Sequence, residues 1–112
     1  MSEYSEYITE LFKYDKVLPM NTGVEAGETA IKLSRKWAYM VKGVPDGKAK
    51  NIFARNNFWG RTLAAISSST DPTSYHHFGP YMPGFEIVGS GIIRDRSHLL
   101  PLCYCSRLIT MT

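Results

Sequence analysis

The chain has 112 residues, which suffices for one small domain at most, or for part of a larger one. Hydrophobic residues make up 44% and aromatic residues 12%, a composition typical of a globular core rather than of a disordered chain. The 13 basic and 10 acidic residues alternate without a run of like charge, so we expect no nucleic-acid partner. No apolar segment approaches the length that spans a bilayer, and we expect no membrane partner either.

Two amphipathic patterns in the first half of the chain predict helices. Over residues 3–14, apolar side chains recur at spacings of three and four, and the same pattern is strongest over residues 24–41. A short extended segment, 17–22, is expected between them, and Gly43 is expected to end the second helix. The apolar stripe of the second helix contains Ala30, Leu33, Trp37 and Val41.

The second half of the chain predicts strands on either side of a short helix. Residues 51–55 and 85–88 are expected as strands and 61–66 as a helix, with a long loop over 67–84 that binds something or caps an interface. With the extended segment before the longest helix, this order predicts an α/β fold: a parallel sheet with crossover helices. Two or three strands cannot bury both faces alone, so we expect marginal stability or reliance on a partner.

A glycine turn opens the longest predicted helix. The first amides of a helix lack intrahelical partners and lie at the positive end of its dipole, so the turn at Thr22, Gly23 and Val24 can accept a phosphate. Glycine lets the backbone approach an anion closely. The alternative is an ordinary turn that leads into a packed helix.

A second candidate motif follows the first predicted strand of the second half. Phe58 can stack on a planar ligand, and Arg61 offers a two-pronged donor that matches a carboxylate. The alternative is a core phenylalanine and a solvated arginine. Adjacent side chains in an extended loop point apart and no acidic or cysteine cluster accompanies them, so His76 and His77 predict no metal site.

These motifs together resemble the class-III aminotransferases, and within them the branch that acts on ornithine. The resemblance covers about residues 4–88 and rests on Leu18–Ala30, Asn57–Thr62, Ser67–Tyr75 and Phe78–Phe85. It implies a fragment of the large domain of a fold-type I enzyme that uses pyridoxal 5'-phosphate. By this resemblance the amides of Gly23 and Val24 hold the cofactor phosphate and Phe58 stacks on the pyridine ring. Trp59 lines the substrate pocket, and Arg61 binds a substrate carboxylate.

The resemblance also implies a reaction and a set of partners. The full enzyme transfers the δ-amino group of ornithine to 2-oxoglutarate, yielding glutamate semialdehyde and glutamate, and is expected to be a homo-oligomer in the mitochondrial matrix or the cytoplasm. The family's Schiff-base lysine has no counterpart here because Lys50 is the last lysine, so no catalytic residue is assigned and this chain alone is expected to be inactive. We expect residues 1–88 to be partial large domain and 89–112 a divergent tail. The alternative function is a non-catalytic truncated product that interacts with an intact aminotransferase subunit.

Overall fold

The computed structural model describes residues 2–89, and the predicted tail, apart from Gly89, lies outside them. Within this range the chain forms four helices and two strands. None of the helices in residues 2–89 is long and apolar enough to cross a membrane.

The two long helices confirm the periodic patterns of the first half. Helix α1 spans Ser2–Phe12 and helix α2 spans Gly23–Met40. Helix α2 begins where the glycine turn predicts, because the Thr22 hydroxyl caps it by accepting a hydrogen bond from the Glu25 amide at 3.2 Å. After the helix, Gly43 adopts a φ of +69°, a left-handed conformation that glycine tolerates best.

The sheet consists of two parallel strands. Strand β1 spans Asn51–Ala54 and strand β2 spans Phe85–Val88, with Asn51 opposite Phe85. The parallel pairing was predicted, but the order of elements also predicted a strand before α2, and segment 17–22 forms none. Pro19 lacks an amide proton for a sheet ladder, and pairing depends on distant neighbours that a local pattern does not specify.

The crossover between the strands contains two short helices. Helix α3 spans Leu63–Ser67, close to the predicted 61–66, and helix α4 spans Pro72–Tyr75 inside the segment predicted as a loop. That part of the loop prediction was wrong. Asp71 caps α4 by accepting the Thr73 amide at 3.0 Å, and Pro72 supplies a preset φ at the first helical position.

The buried core is small and centres on α3. Its apolar members are Ala49, Ala64, Ala65 and Ile66. The apolar stripe of α2 is only partly covered, because Leu33 and Val41 are 68% and 67% exposed. Helix α2 instead reaches the residues around β1 through polar contacts, one of which is the Ala49 amide donating to the Tyr39 hydroxyl at 3.3 Å. A two-stranded sheet is too narrow to cover an eighteen-residue helix.

Candidate cofactor and substrate site

The first turn of α2 presents open backbone donors. The Glu25 amide is capped by Thr22, whereas the Gly23 and Val24 amides have no hydrogen-bond acceptor among residues 2–89. A Cβ added at Gly23 would meet no atom within 4 Å, so space lies open beside this turn. Unpaired amides at the positive end of a helix dipole, next to open space, match the needs of a phosphate group.

The loop after β1 lies against the first two turns of α2. A Cβ added at Gly60, whose φ is +153°, would come within 2.5 Å of Val24 Cγ2. One turn further along the helix, a Cβ added at Gly27 would lie 2.7 Å from Trp59 Cε3. These two glycines therefore allow the loop and the helix to approach each other closely. The loop is also joined to Glu28, whose carboxylate accepts a hydrogen bond from the Thr62 hydroxyl at 3.2 Å.

The predicted site residues are thereby brought to one region of the surface. Val24 contacts Gly60 directly, and Gly60 stands between Trp59 and Arg61 in the chain. The first turn of α2 and the Phe58–Arg61 loop, which are far apart in sequence, are thus neighbours in the fold. Their roles toward a ligand remain the predictions stated above.

Phe58 is available for stacking because its ring is 64% exposed, which argues against the alternative of a core phenylalanine. It borders an open cavity of about 240 Å³ whose other lining residues are Asn56, Asn57, Ser69, Thr70, Asp71 and Ser74. Hydrogen bonds from the Thr73 hydroxyl, the Ser74 hydroxyl and the Thr73 amide lower the pKa of Asp71, so this carboxylate stays ionised at neutral pH.

Trp59 is held more firmly than its neighbours. Its ring stacks nearly parallel to that of Phe53, with centroids 5.9 Å apart and an interplanar angle of 6°. Its indole Nε1 donates to the hydroxyl of Ser68, immediately after α3, at 2.7 Å. Sequence reasoning placed Ser68 in a polar loop, but it is 0% exposed. No local signal separates it from Ser67 and Ser69, because its burial results from tertiary packing.

Arg61 is exposed, and within residues 2–89 its guanidinium has no hydrogen bond or ion pair. Its five N–H donors are therefore available to an anion. His76 and His77 are also exposed, and the part of the chain that the structure describes holds no cluster of three or more metal-ligating side chains.

The parallel strand pair and its helical crossover define part of an α/β fold, a class in which ligands bind outside the carboxyl ends of the strands. The family model for class-III aminotransferases matches residues 1–97. The chain belongs to this family.

Several relatives narrow the similarity to one branch. The chain is 70% identical over 88 residues to the mitochondrial ornithine aminotransferase of Rattus norvegicus, covering 79% of this chain and 20% of that protein. It is 67% identical over the same length to the mitochondrial ornithine aminotransferase of Drosophila ananassae. The chain thus spans 20% of the length of each of these two relatives.

Solved structures agree with the fold. The ornithine aminotransferase of Toxoplasma gondii ME49 superposes with a TM-score of 0.76 at 52% identity, covering 80% of this chain and 21% of that one. A second structure of the Toxoplasma gondii enzyme has partial occupancy of PLP at its active site. The acetylornithine aminotransferase of Elizabethkingia anophelis gives a TM-score of 0.56 at 47% identity, over 88% of this chain and 22% of that one.

Proposed function

We propose that this chain forms part of the cofactor-binding large domain of an ornithine aminotransferase. The complete enzyme transfers the δ-amino group of ornithine to 2-oxoglutarate and works as a homo-oligomer. The observation that carries the proposal is the contact of Gly60 with Val24, because it sets the open amides of α2 beside the Phe58–Arg61 loop. Similarity to ornithine aminotransferases at 67–70% identity supports the same assignment.

The residues present fit pyridoxal 5'-phosphate. The amides of Gly23 and Val24 receive the phosphate, with the α2 dipole adding to the attraction. The exposed ring of Phe58 stacks on the flat heterocycle and keeps water from that face. When bound, the cofactor supplies an electron sink for the bond that breaks at the amino-bearing carbon.

Two further residues act on the substrates. Arg61 binds a carboxylate of glutamate or 2-oxoglutarate through two parallel hydrogen bonds, and so orients the substrate. Trp59 lines the pocket with the part of its indole that remains accessible, since Ser68 already accepts its Nε1 proton. Trp59 therefore contributes shape and apolar surface to the pocket rather than a hydrogen bond.

The chain by itself has no transaminase turnover. Amino transfer requires a lysine amine that bonds to the cofactor and moves the substrate proton. The last lysine in this sequence is Lys50, which directly precedes β1 and whose ammonium pairs with Glu86 of β2. Purified chain, assayed with ornithine, 2-oxoglutarate and excess pyridoxal phosphate, should form no glutamate semialdehyde above a sample without protein.

Ligand binding tests the proposed cofactor site in this chain directly. A helix terminus and one stacked ring contribute about 1 kcal/mol each, whereas micromolar affinity needs roughly 8 kcal/mol, so binding should be weaker than micromolar. Phe58→Leu should weaken binding of pyridoxine 5'-phosphate, which lacks the aldehyde, while the control Phe78→Leu should not. Phe78 suits this purpose because it is similarly exposed, at 56%, but does not line the cavity beside Phe58. Equal affinities of the two variants for pyridoxine 5'-phosphate would show that Phe58 does not contact the ligand.

A chimera tests the activity of the complete enzyme. Residues 4–88 of this chain would replace the matching segment of the Rattus norvegicus enzyme, to which the chain is 70% identical. The chimera should convert ornithine and 2-oxoglutarate with a kcat near that of the parent. A folded chimera that accepts another amino donor but not ornithine would contradict the proposed substrate.

A further inference from the structure

We infer that Ser68 is a positioning residue for the cofactor site: its buried hydroxyl fixes the indole of Trp59, and through it the path of the loop that presents Phe58. The inference depends on the proposed function in one respect, namely that Phe58 stacks on the cofactor ring. Within residues 2–89 the side-chain and carbonyl hydrogen bonds of Ser68 reach Asn57, Trp59 and Ala65, so its effect on Phe58 passes through Asn57 and Trp59.

The Trp59 indole is confined on three sides. Phe53 stacks on its face, Gly27 lies at the Cε3 edge, and the Ser68 hydroxyl accepts the Nε1 proton at 2.7 Å. Without that hydroxyl the part-buried Nε1–H would lose its acceptor, and the indole would have to rotate to find another. Little room exists toward α2, because even a Cβ at Gly27 would come within 2.7 Å of the ring. Rotation of the ring must therefore displace the loop that carries it.

A second contact joins Ser68 to the same loop. Asn57 Nδ2 donates to the Ser68 carbonyl at 2.7 Å and to the Ala54 carbonyl at 2.7 Å. Ser68 Oγ lies 3.2 Å from Asn57 Oδ1 and 3.0 Å from the Ala65 carbonyl, so its proton has two nearby acceptors. Phe58 thus stands between two residues, Asn57 and Trp59, that are both bonded to Ser68. Its position is set by a residue near the end of α3.

The hydrogen bonds on either side of Phe58 explain how its exposed ring can hold a defined position. Phe58 has little packing of its own, being 64% exposed, and a free ring would lose entropy on binding a ligand. The hydrogen bonds that hold Asn57 and Trp59 restrict Phe58 before any ligand binds, so binding costs less entropy. Ser68 is fully buried, so water does not compete for its hydroxyl.

The test compares the full chain with Ser68→Ala by nuclear magnetic resonance. In the unsubstituted chain the Trp59 indole proton should exchange slowly with solvent and show the shift of a hydrogen-bonded donor. In Ser68→Ala that resonance should move, and the amides of Phe58 and Gly27 should move with it. A Trp59 indole proton that exchanges as fast as free indole in the unsubstituted chain overturns the inference.

Binding separates the positioning role from a general loss of structure. Ser68→Ala should weaken pyridoxine 5'-phosphate about fivefold, the equivalent of one lost neutral hydrogen bond, while inorganic phosphate should bind the α2 terminus unchanged. Equal losses for both probes mean that Ser68 supports only the fold. The control Ser67→Ala removes a hydroxyl that accepts the Met82 amide instead, and should leave both affinities unchanged.

A further variant covers the case in which Ser68→Ala fails to fold. Trp59→Phe keeps an aromatic ring but removes the Nε1 donor, and should reproduce the selective loss of pyridoxine 5'-phosphate affinity. The effect of Ser68→Ala should be smaller when it is added to Trp59→Phe, because both remove one hydrogen bond. Independent effects overturn the inference. If the unsubstituted chain binds neither probe, the proposed function fails, and the amide shifts of Phe58 and Gly27 still decide the positioning role.

Discussion

Arg35 and Asn51 join helix α2 to strand β1 through a hydrogen bond from the guanidinium Nε to the side-chain carbonyl, 3.0 Å long. Asn51 is buried, at 8% exposure, and its amide donates onward to the Ser34 hydroxyl at 2.8 Å. The same guanidinium donates to the Pro83 carbonyl at 2.6 Å and lies 5.4 Å from the centre of the Phe85 ring. One arginine thus connects the helix to both strands of the sheet.

Asn51→Ala should therefore destabilise the fold more than an ordinary polar substitution. It deletes two hydrogen bonds and leaves Arg35 Nε without its acceptor, which should lower the free energy of unfolding by about 2 kcal/mol. Equilibrium unfolding in urea, followed by circular dichroism, measures the change. Asn21→Ala is the control, since Asn21 is exposed and should change stability by less than about 0.5 kcal/mol. Equal losses of unfolding free energy in the two variants would show that Asn51 does not stabilise the connection between α2 and β1.

Gly60→Ala should perturb the junction of the loop with α2. The new Cβ would lie 2.5 Å from Val24 Cγ2, and the φ of +153° is strained for alanine. Gly43→Ala is the matched control, because Gly43 has a φ of +69° but open space around it. Overpacking should make Gly60→Ala about 1–3 kcal/mol worse than this control, and Val24→Ala should reduce that difference by removing Cγ2. A difference that persists unchanged in the Val24→Ala background would show that Val24 Cγ2 is not its cause, since Val24 Cβ would still lie 2.9 Å from the new methyl group.

Gly23→Ala should separate stability from ligand binding. Nothing lies within 4 Å of the added methyl group, so the fold should tolerate it, and helix propensity favours alanine by up to about 1 kcal/mol. The methyl group would occupy the open space beside the amides, however, and hinder the approach of a phosphate. We expect an unchanged or higher midpoint of unfolding together with weaker binding of inorganic phosphate, measured by amide shifts. Undiminished phosphate binding would place the anion elsewhere.

Arg61→Lys, made in the chimera described above, should affect one half-reaction more than the other. Lysine keeps the charge but loses the two-pronged geometry, so the 2-oxoglutarate half-reaction should lose about 1.5–3 kcal/mol of transition-state stabilisation. Ornithine reacts at its δ-amino end, where no carboxylate adjoins the reacting carbon, and its half-reaction should change far less. Single-turnover absorbance resolves the two halves. Equal losses in both would assign Arg61 to the fold or to cofactor binding.

The features that depend on local sequence were predictable. The helices over 3–14 and 24–41 follow from apolar spacing, and the start of α2 follows from Thr22 and Gly23, which give a cap and a turn. Helix α4 was missed although its signal was present, because Asp71 before Pro72 is a typical cap followed by a typical first residue. The prolines and glycines of the segment over 67–84 outweighed that signal.

The features that depend on tertiary packing were not predictable. The sequence indicated Phe58, Trp59 and Arg61 as candidates, but the contact between Gly60 and Val24 appears only when the loop folds against α2. Ser68 lies in a run of three serines, and only its burial beneath Trp59 distinguishes it. Arg35 is not part of the apolar stripe that the sequence indicates on α2, and only the structure shows that it bonds to Asn51.

The parallel register of β1 and β2 has a consequence for the order in which the chain folds. Asn51 meets Phe85 only after the whole crossover, including α3 and α4, has become compact, whereas every hydrogen bond within α2 closes over a single turn. The sheet must therefore form late and open early. Because the loop that carries Phe58 leaves from the end of β1, native-state hydrogen exchange should show the amides of this loop opening at a lower free energy than those of α2.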